Sequence, residues 1–210
     1  MSQTGRENTG LVRHSGWYGA ARAAATAVFH TLFPVKYHGA ERLALDAPYI
    51  VIANHQSWID PVVVALPVKR YEICFLGKKE LVKTSVARKI LTNMHMIIVD
   101  RHNTDMEAMR ACMKVVRDGN VLGIFPEGTR HHEGLMDEIE TGVALMAMRA
   151  NVPLVPVYIP HRLTFLRRTD VQVGEPIPID DLRAQGINRE TCAALLERIT
   201  KTYAEMAGKA

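Results

Sequence analysis

The sequence has little of what usually narrows a function at once. Its 210 residues include three cysteines, Cys74, Cys112 and Cys192, odd in number, far apart and without a C-x-x-C spacing. A disulfide framework or thiolate zinc site is therefore not expected, and a reducing cytoplasm is. No stretch approaches the ~20 consecutive apolar residues that a bilayer span requires. The polar start, Met1 to Gly16, carries no apolar signal core. The glycine patterns of nucleotide-phosphate binding, G-x-G-x-x-G and G-x-x-x-x-G-K-[ST], do not occur, and neither does the G-x-S-x-G elbow of serine hydrolases. His55, His95, His102, His131 and His132 would be the ligands of a metal-dependent hydrolase, but H-E-x-x-H is missing and His131-His132 are adjacent. No metal and no cofactor are expected. Basic residues are scattered and lack interleaved aromatics, which argues against nucleic acid.

What is present is an ordinary globular composition, 48% apolar and 23% charged, with a net charge of +4 and a pI near 9.0. That excess favours anionic partners: phosphorylated substrates, acidic lipid headgroups or an acidic carrier protein. The length fits one domain.

Residues 1–14 read as a loose tail. Over 17–33, Trp17, Tyr18, Ala21, Ala24, Ala25, Val28, Phe29 and Leu32 fall on one side of a helical wheel, opposite Arg22, Thr26 and His30. Pro34 ends the segment. Two readings of this amphipathic helix stay open, a cap on the core or a helix lying on an anionic membrane surface. Beyond it, short apolar runs at 49–53, 72–76, 96–99, 121–125 and 154–159 alternate with helical segments. One segment starts at a capping box, Thr104-Asp105-Met106-Glu107, ends at Asp118-Gly119, and has Met106, Met109, Met113 and Val116 as its apolar face. Others run over about 136–150 and 189–206. This alternation predicts one α/β domain over 35–210, with a largely parallel central sheet flanked by helices, preceded by the tail and helix of 1–34. In such sheets ligands bind at the carboxyl ends of strands.

Polar residues follow three of the runs. After 49–53 comes Asn54-His55-Gln56-Ser57-Trp58-Ile59-Asp60-Pro61; after 96–99, Asp100-Arg101; after 121–125, Pro126-Glu127-Gly128-Thr129-Arg130. A parallel sheet would bring all three to one rim. A turn between His55 and Asp60 can aim the carboxylate at the imidazole, which a straight helix cannot do well, since five residues turn about 140°. Such a pair supplies a base for a hydroxyl attacking a thioester, with the acid fixing the tautomer. Taken alone, the pair favours a structural reading, with His55 only satisfying a loop and Asp60 the N-cap of a helix that has Pro61 at its first position. Gly128 permits a sharp turn, so that backbone N–H groups and Thr129 can face an anion. Arg130 can grip a phosphate with two parallel hydrogen bonds, and Arg101 can add a second contact.

Together these segments resemble the glycerolipid acyltransferase family of bacterial 1-acylglycerol-3-phosphate acyltransferases. Four blocks of that family stand in order: His55 to Asp60 in the form Asn-His-Gln-Ser-Trp-x-Asp, the block ending in Arg101, Phe-Pro-Glu-Gly-Thr-Arg at 125–130, and Val-Pro-Leu-Val-Pro-Val at 152–157. Gly77-Lys78-Lys79-Glu80-Leu81 is similar to a basic stretch between the first two, and the likeness covers about 35–175. The resemblance implies that His55 is the catalytic base and Asp60 its partner. It further implies that Arg101, Glu127, Gly128, Thr129 and Arg130 hold a phosphate-bearing acceptor such as lysophosphatidate, with Lys78 near that phosphate or the donor's charge. Acyl-carrier protein or acyl-coenzyme A is the implied donor, and the cytoplasmic face of the cell membrane the implied, peripheral location. The chain departs from the pattern at His95, where Gly is usual, at His131-His132, and at Glu140, where a basic residue is common before Thr141-Gly142. These departures bear on the acceptor, leaving another lysolipid, a lysophospholipid or an amino-acid lysolipid, as the alternative. A lipid-binding module without catalysis is the non-enzyme alternative, and it would not need His55 beside Asp60.

Overall fold

The structure, a computed structural model, describes residues 19–20, 23–24, 26–27, 31–45, 48–78, 96–99, 105–128, 135–136 and 139–208. Seven strands form one sheet: β1 (Val35–His38), β2 (Ile50–Ala53), β3 (Ile73–Lys78), β4 (Met96–Val99), β5 (Val121–Ile124), β6 (Leu154–Tyr158) and β7 (Thr169–Val173). Their spatial order is β1-β7-β6-β2-β5-β3-β4. The five strands from β6 to β4 are mutually parallel, β7 runs antiparallel to β6, and β1 runs parallel to β7. Among the described residues after β1, the α-helices are α1 (Asp60–Ala65), α2 (Asp105–Arg117), α3 (Thr141–Ala150), α4 (Asp180–Ala184) and α5 (Arg189–Met206).

The largely parallel α/β sheet expected from the alternation is present, and burial on both faces explains its apolar runs. In β2, Ile50 and Ile52 pack into one core with Cys112 and Val116 of α2, Ala144 and Ala147 of α3, and Leu195, Ile199 and Tyr203 of α5. Val51 and Ala53 point the other way, into a second core with Val63 and Val64 of α1, Leu43, Tyr49, Tyr71 and Leu163. A strand covered on both sides reads as a continuous hydrophobic run. By contrast β7 alternates buried and half-buried positions, and β1 half-buried and exposed ones. Such half-buried strands carry too few apolar residues to register as runs, and neither was expected from the sequence.

Three helical expectations change. The helix expected from 136 begins at Thr141 instead. Met136 is fully buried at φ +55°, a conformation no α-helix contains. In α2, which matches its expected span apart from Thr104 outside the described residues, Met106 is exposed; Cys112, Val115 and Val116 carry the core contact, with Met109 and Met113 packed against it. Asp60 is the first residue of α1 rather than the cap, which is Ile59. The last helix spans Arg189–Met206 as expected, opened by a reciprocal capping box between Asn188 and Thr191.

Of the N-terminal segment, residues 19, 20, 23, 24, 26, 27, 31 and 32 are helical, and Ala24 and Leu32, two members of its expected apolar side, are exposed. The rest of that side lies outside the described residues. No helix among the described residues is long and apolar enough to cross a membrane.

Candidate active site

β2 and β5 are neighbours, and both end on the same edge of the sheet, as do β3, β4 and β6. The loop after β2 starts with Asn54, whose buried side chain donates to Ile159 O (2.9 Å) and accepts from Ile159 N–H (2.8 Å). That two-bond clamp mimics one more rung of the β2–β6 ladder, so the chain is still held firmly where His55 begins.

The imidazole of His55 sits 18% exposed, with Nδ1 2.9 Å from Oδ2 of Asp60, which is fully buried. An ionised carboxylate only accepts, so Nδ1 carries the proton and the opposite nitrogen, Nε2, keeps its lone pair. Asp60 is itself held by the loop it closes. Oδ2 also accepts from the backbone N–H groups of Gln56 and Ser57, each at 2.6 Å, and Oδ1 accepts from the Ser57 hydroxyl at 2.8 Å. These donors precede α1, so the carboxylate does not cap that helix. Orienting the imidazole is what its geometry does.

Two aromatic rings fix the other face of the histidine. Phe125, just past β5, stacks on His55 with centroids 4.3 Å apart, and Phe75 of β3 stacks behind it at 5.7 Å. Gly123 makes room for this column, since a Cβ there would lie 2.2 Å from the Phe75 ring.

Glu127 ties the second element to the first. Its Oε2 accepts the His55 backbone N–H at 2.8 Å, and its Oε1 accepts that of the buried Met136 at 3.1 Å. Only 7% of the residue is exposed. Both oxygens are thus engaged with the chain's own backbone, a bracing function that the resemblance, which implied acceptor binding for Glu127, did not contain. Gly128 follows in the sharp turn its sequence position allows, with a left-handed φ of +64°. Glu140 Oε1 lies so close that a Cβ on Gly128 would meet it at 2.2 Å.

Lys78 is the last residue of β3, on the same edge. Arg101, Thr129 and Arg130 lie outside the described residues, as do His95, His102, His131 and His132. Among the described residues no group of three or more His, Cys, Asp or Glu is arranged to hold a metal ion. Burial pushes the Cys74 thiol up to about 11 and the Cys112 thiol up to about 12, so neither supplies a thiolate nucleophile. A cavity of about 330 Å³ lined by Asn151, Pro153, Ile177 and Asp180 opens at the amino end of β6, on the opposite edge from His55.

Asn54, Ser57 and Phe125 support the site, and sequence reasoning did not single them out. All three stand within the quoted motif blocks, without a role assigned there. Ser57 serves the nearby Asp60, whereas Ile159, the partner of Asn54, and Phe75, which backs Phe125, are distant in sequence.

The arrangement holds an imidazole against a buried carboxylate at the end of a strand, and a pair of that kind can serve as a general base. Comparison with known proteins places the chain in a family. A family model described as Acyltransferase matches residues 34–160. The 1-acyl-sn-glycerol-3-phosphate acyltransferase of Bacillus subtilis is 27% identical over 180 residues, covering 83% of this chain and 89% of that protein. The Streptococcus pneumoniae enzyme of the same name is 28% identical over 174 residues, 80% of this chain and 64% of that longer protein. The crystal structure of the 1-acyl-sn-glycerophosphate acyltransferase of Thermotoga maritima superposes with a TM-score of 0.61 over 88% of this chain and 75% of that one, at 23% identity, a likeness of fold.

Proposed function

The chain belongs to the acyltransferase family, and from that premise we propose that it transfers a fatty acyl group from an acyl thioester to the free hydroxyl of 1-acylglycerol-3-phosphate, giving phosphatidic acid. The observation that carries this reading is the 2.9 Å bond between His55 and the fully buried Asp60 at the carboxyl edge of β2. The acceptor named for the bacillary and streptococcal relatives supports the choice of substrate.

Neutral His55 takes the proton of the acceptor hydroxyl at Nε2 as the oxygen attacks the thioester carbonyl. Asp60 stabilises the imidazolium that forms. When the tetrahedral intermediate collapses, the carbon–sulfur bond breaks and the thiolate recovers that proton from His55. The ester oxygen comes from the acceptor, no covalent enzyme intermediate is needed, and neither is a metal. Lys78, Arg101 and Arg130, with the turn at Gly128-Thr129, supply the cations and N–H groups that hold the acceptor's phosphate. Acyl-carrier protein or acyl-coenzyme A donates the acyl group. The helix within residues 1–34 lies on the anionic, cytoplasmic face of the membrane, a reading supported by the exposure of Ala24 and Leu32 on its expected apolar side, and residues 35–210 form the catalytic domain.

One observation favours a second acceptor. Glu140 places a carboxylate against the Gly128 turn, which suits a lysolipid whose phosphate bears a cation, such as an ethanolamine ester. The test offers the purified protein lysophosphatidate and lysophosphatidylethanolamine with both donors, and identifies products by mass spectrometry. Phosphatidic acid as the main product supports the first reading, and acylated ethanolamine lipid the second. His55→Ala should lower the rate at least about 100-fold while leaving the fold intact; near-normal turnover in that variant removes the mechanism.

A further inference from the structure

We propose that the loop between β6 and β7 is a membrane-docking element that presents the catalytic edge to an anionic lipid surface. The proposal extends the reading above, because it concerns how a lipid acceptor reaches His55.

The loop leaves β6 at the carboxyl edge and returns along β7. Its first residue, Ile159, is clamped by Asn54, so it departs beside the catalytic loop. Leu163 anchors it in the core, yet Phe165 and Leu166 are 59% and 63% exposed. This exposure is built rather than loose. The Arg167 N–H donates to Thr164 O (3.1 Å), closing a turn, and the Leu166 N–H donates to Leu32 O (2.8 Å). Leu166 adopts φ +58°, a conformation disfavoured for a branched side chain. Phe165 meets Phe33 edge-on, with ring centroids 6.2 Å apart, so the tip is held in place while most of both apolar side chains still faces outward.

The neighbourhood extends the patch. Trp58, in the loop after the adjacent strand β2, is 73% exposed, and Leu32 is 38% exposed where the chain enters β1. Arg162 and Arg167 flank the apolar tip and are exposed. Apolar side chains that enter the acyl boundary, a tryptophan at headgroup level and cations beside them are the chemistry of an anionic bilayer surface. Because all of these residues leave the same edge as His55, insertion of the tip would point the site's mouth at the lipid.

Co-sedimentation of the full chain with phosphatidylglycerol–phosphatidylcholine vesicles tests this. Phe165→Ser combined with Leu166→Ser should lower partition at least about tenfold, since two large apolar side chains no longer enter the bilayer. Arg162→Glu with Arg167→Glu should weaken binding to anionic vesicles and leave binding to pure phosphatidylcholine unchanged. Leu166→Gly, which relieves the turn while deleting the side chain, serves if the double variant folds poorly, and it too should partition less. His55→Ala should partition like wild type, which separates a failure of docking from a failure of catalysis. Wild-type partition by the loop variants overturns the proposal. So does a loop variant that partitions normally but either changes from dimer to monomer in solution or slows only with acyl-carrier-protein donors, since a second copy or the carrier would then be the occupant.

Discussion

The carboxyl edge around β2 and the outer surface of the helix layer hold their aspartates in opposite ways. At the edge, Asp60 is fully buried and held by two backbone N–H groups, a serine hydroxyl and the imidazole it orients. On the helix layer, Asp181 of α4 meets the Arg198 guanidinium of α5 with two parallel contacts of 2.8 and 2.7 Å, largely in solvent. The buried carboxylate is fixed by dipoles that cannot rearrange, so its field acts on a single partner, His55. Its surface counterpart is neutralised by a half-buried guanidinium and shielded by water and salt. Buried polar networks carry high stakes, since each member left unpaired costs its full desolvation. The difference shows where the molecule commits structure to chemistry.

Removing the buried carboxylate should have the largest effect. Asp60→Ala orphans the Gln56 and Ser57 N–H groups and the serine hydroxyl, and should cost about 3–5 kcal/mol of stability, together with activity. Chemical denaturation measures this, and a loss no larger than that of a surface substitution would remove the contrast. Glu127→Gln comes next. One amide oxygen cannot accept from both His55 and Met136, so about 1–3 kcal/mol should be lost. In that variant kcat should fall while the acceptor KM stays near wild type, whereas a raised KM alone would assign Glu127 to the phosphate instead.

The smallest effect is expected on the helix layer. Arg198→Ala should lower Tm slightly, and the difference should vanish in high salt. Hydrogen bonding to Arg198 holds Asp181 below its ordinary 3.8, at about 2. A folded value below the unfolded one means that the contribution is fully present above the ordinary carboxylate range and disappears as pH falls through about 2. Acid titrations of wild type and Arg198→Ala should therefore converge at the low end. Asp170, held at about 2 chiefly by Arg168 and then by His38, behaves in the same direction and is untouched by that substitution.

The features readable along the chain were those carried by neighbours in sequence. Apolar runs marked β2, β3, β4, β5 and β6, and those of β2 and β5 are buried along their whole length. Local cap and turn chemistry marked the end of α2 and the left-handed turn at Gly128. The five-residue spacing of His55 and Asp60 allowed their contact without requiring it, because a helix cap used the same residue types.

Everything else needed partners far away. Glu127 reaches the His55 N–H across 72 positions, Asn54 reaches Ile159 across 105, and Tyr203 donates to Ile52 O across 151. No periodicity encodes such pairs, for they exist only once the strands lie side by side. The same holds for the reversal of direction between β6 and β7 and for β1, whose half-buried pattern gains meaning from the edge it joins. Local propensity selects which residues turn and which are buried; the assembled sheet selects which polar atoms meet, because a buried donor must find its acceptor wherever the fold has placed one.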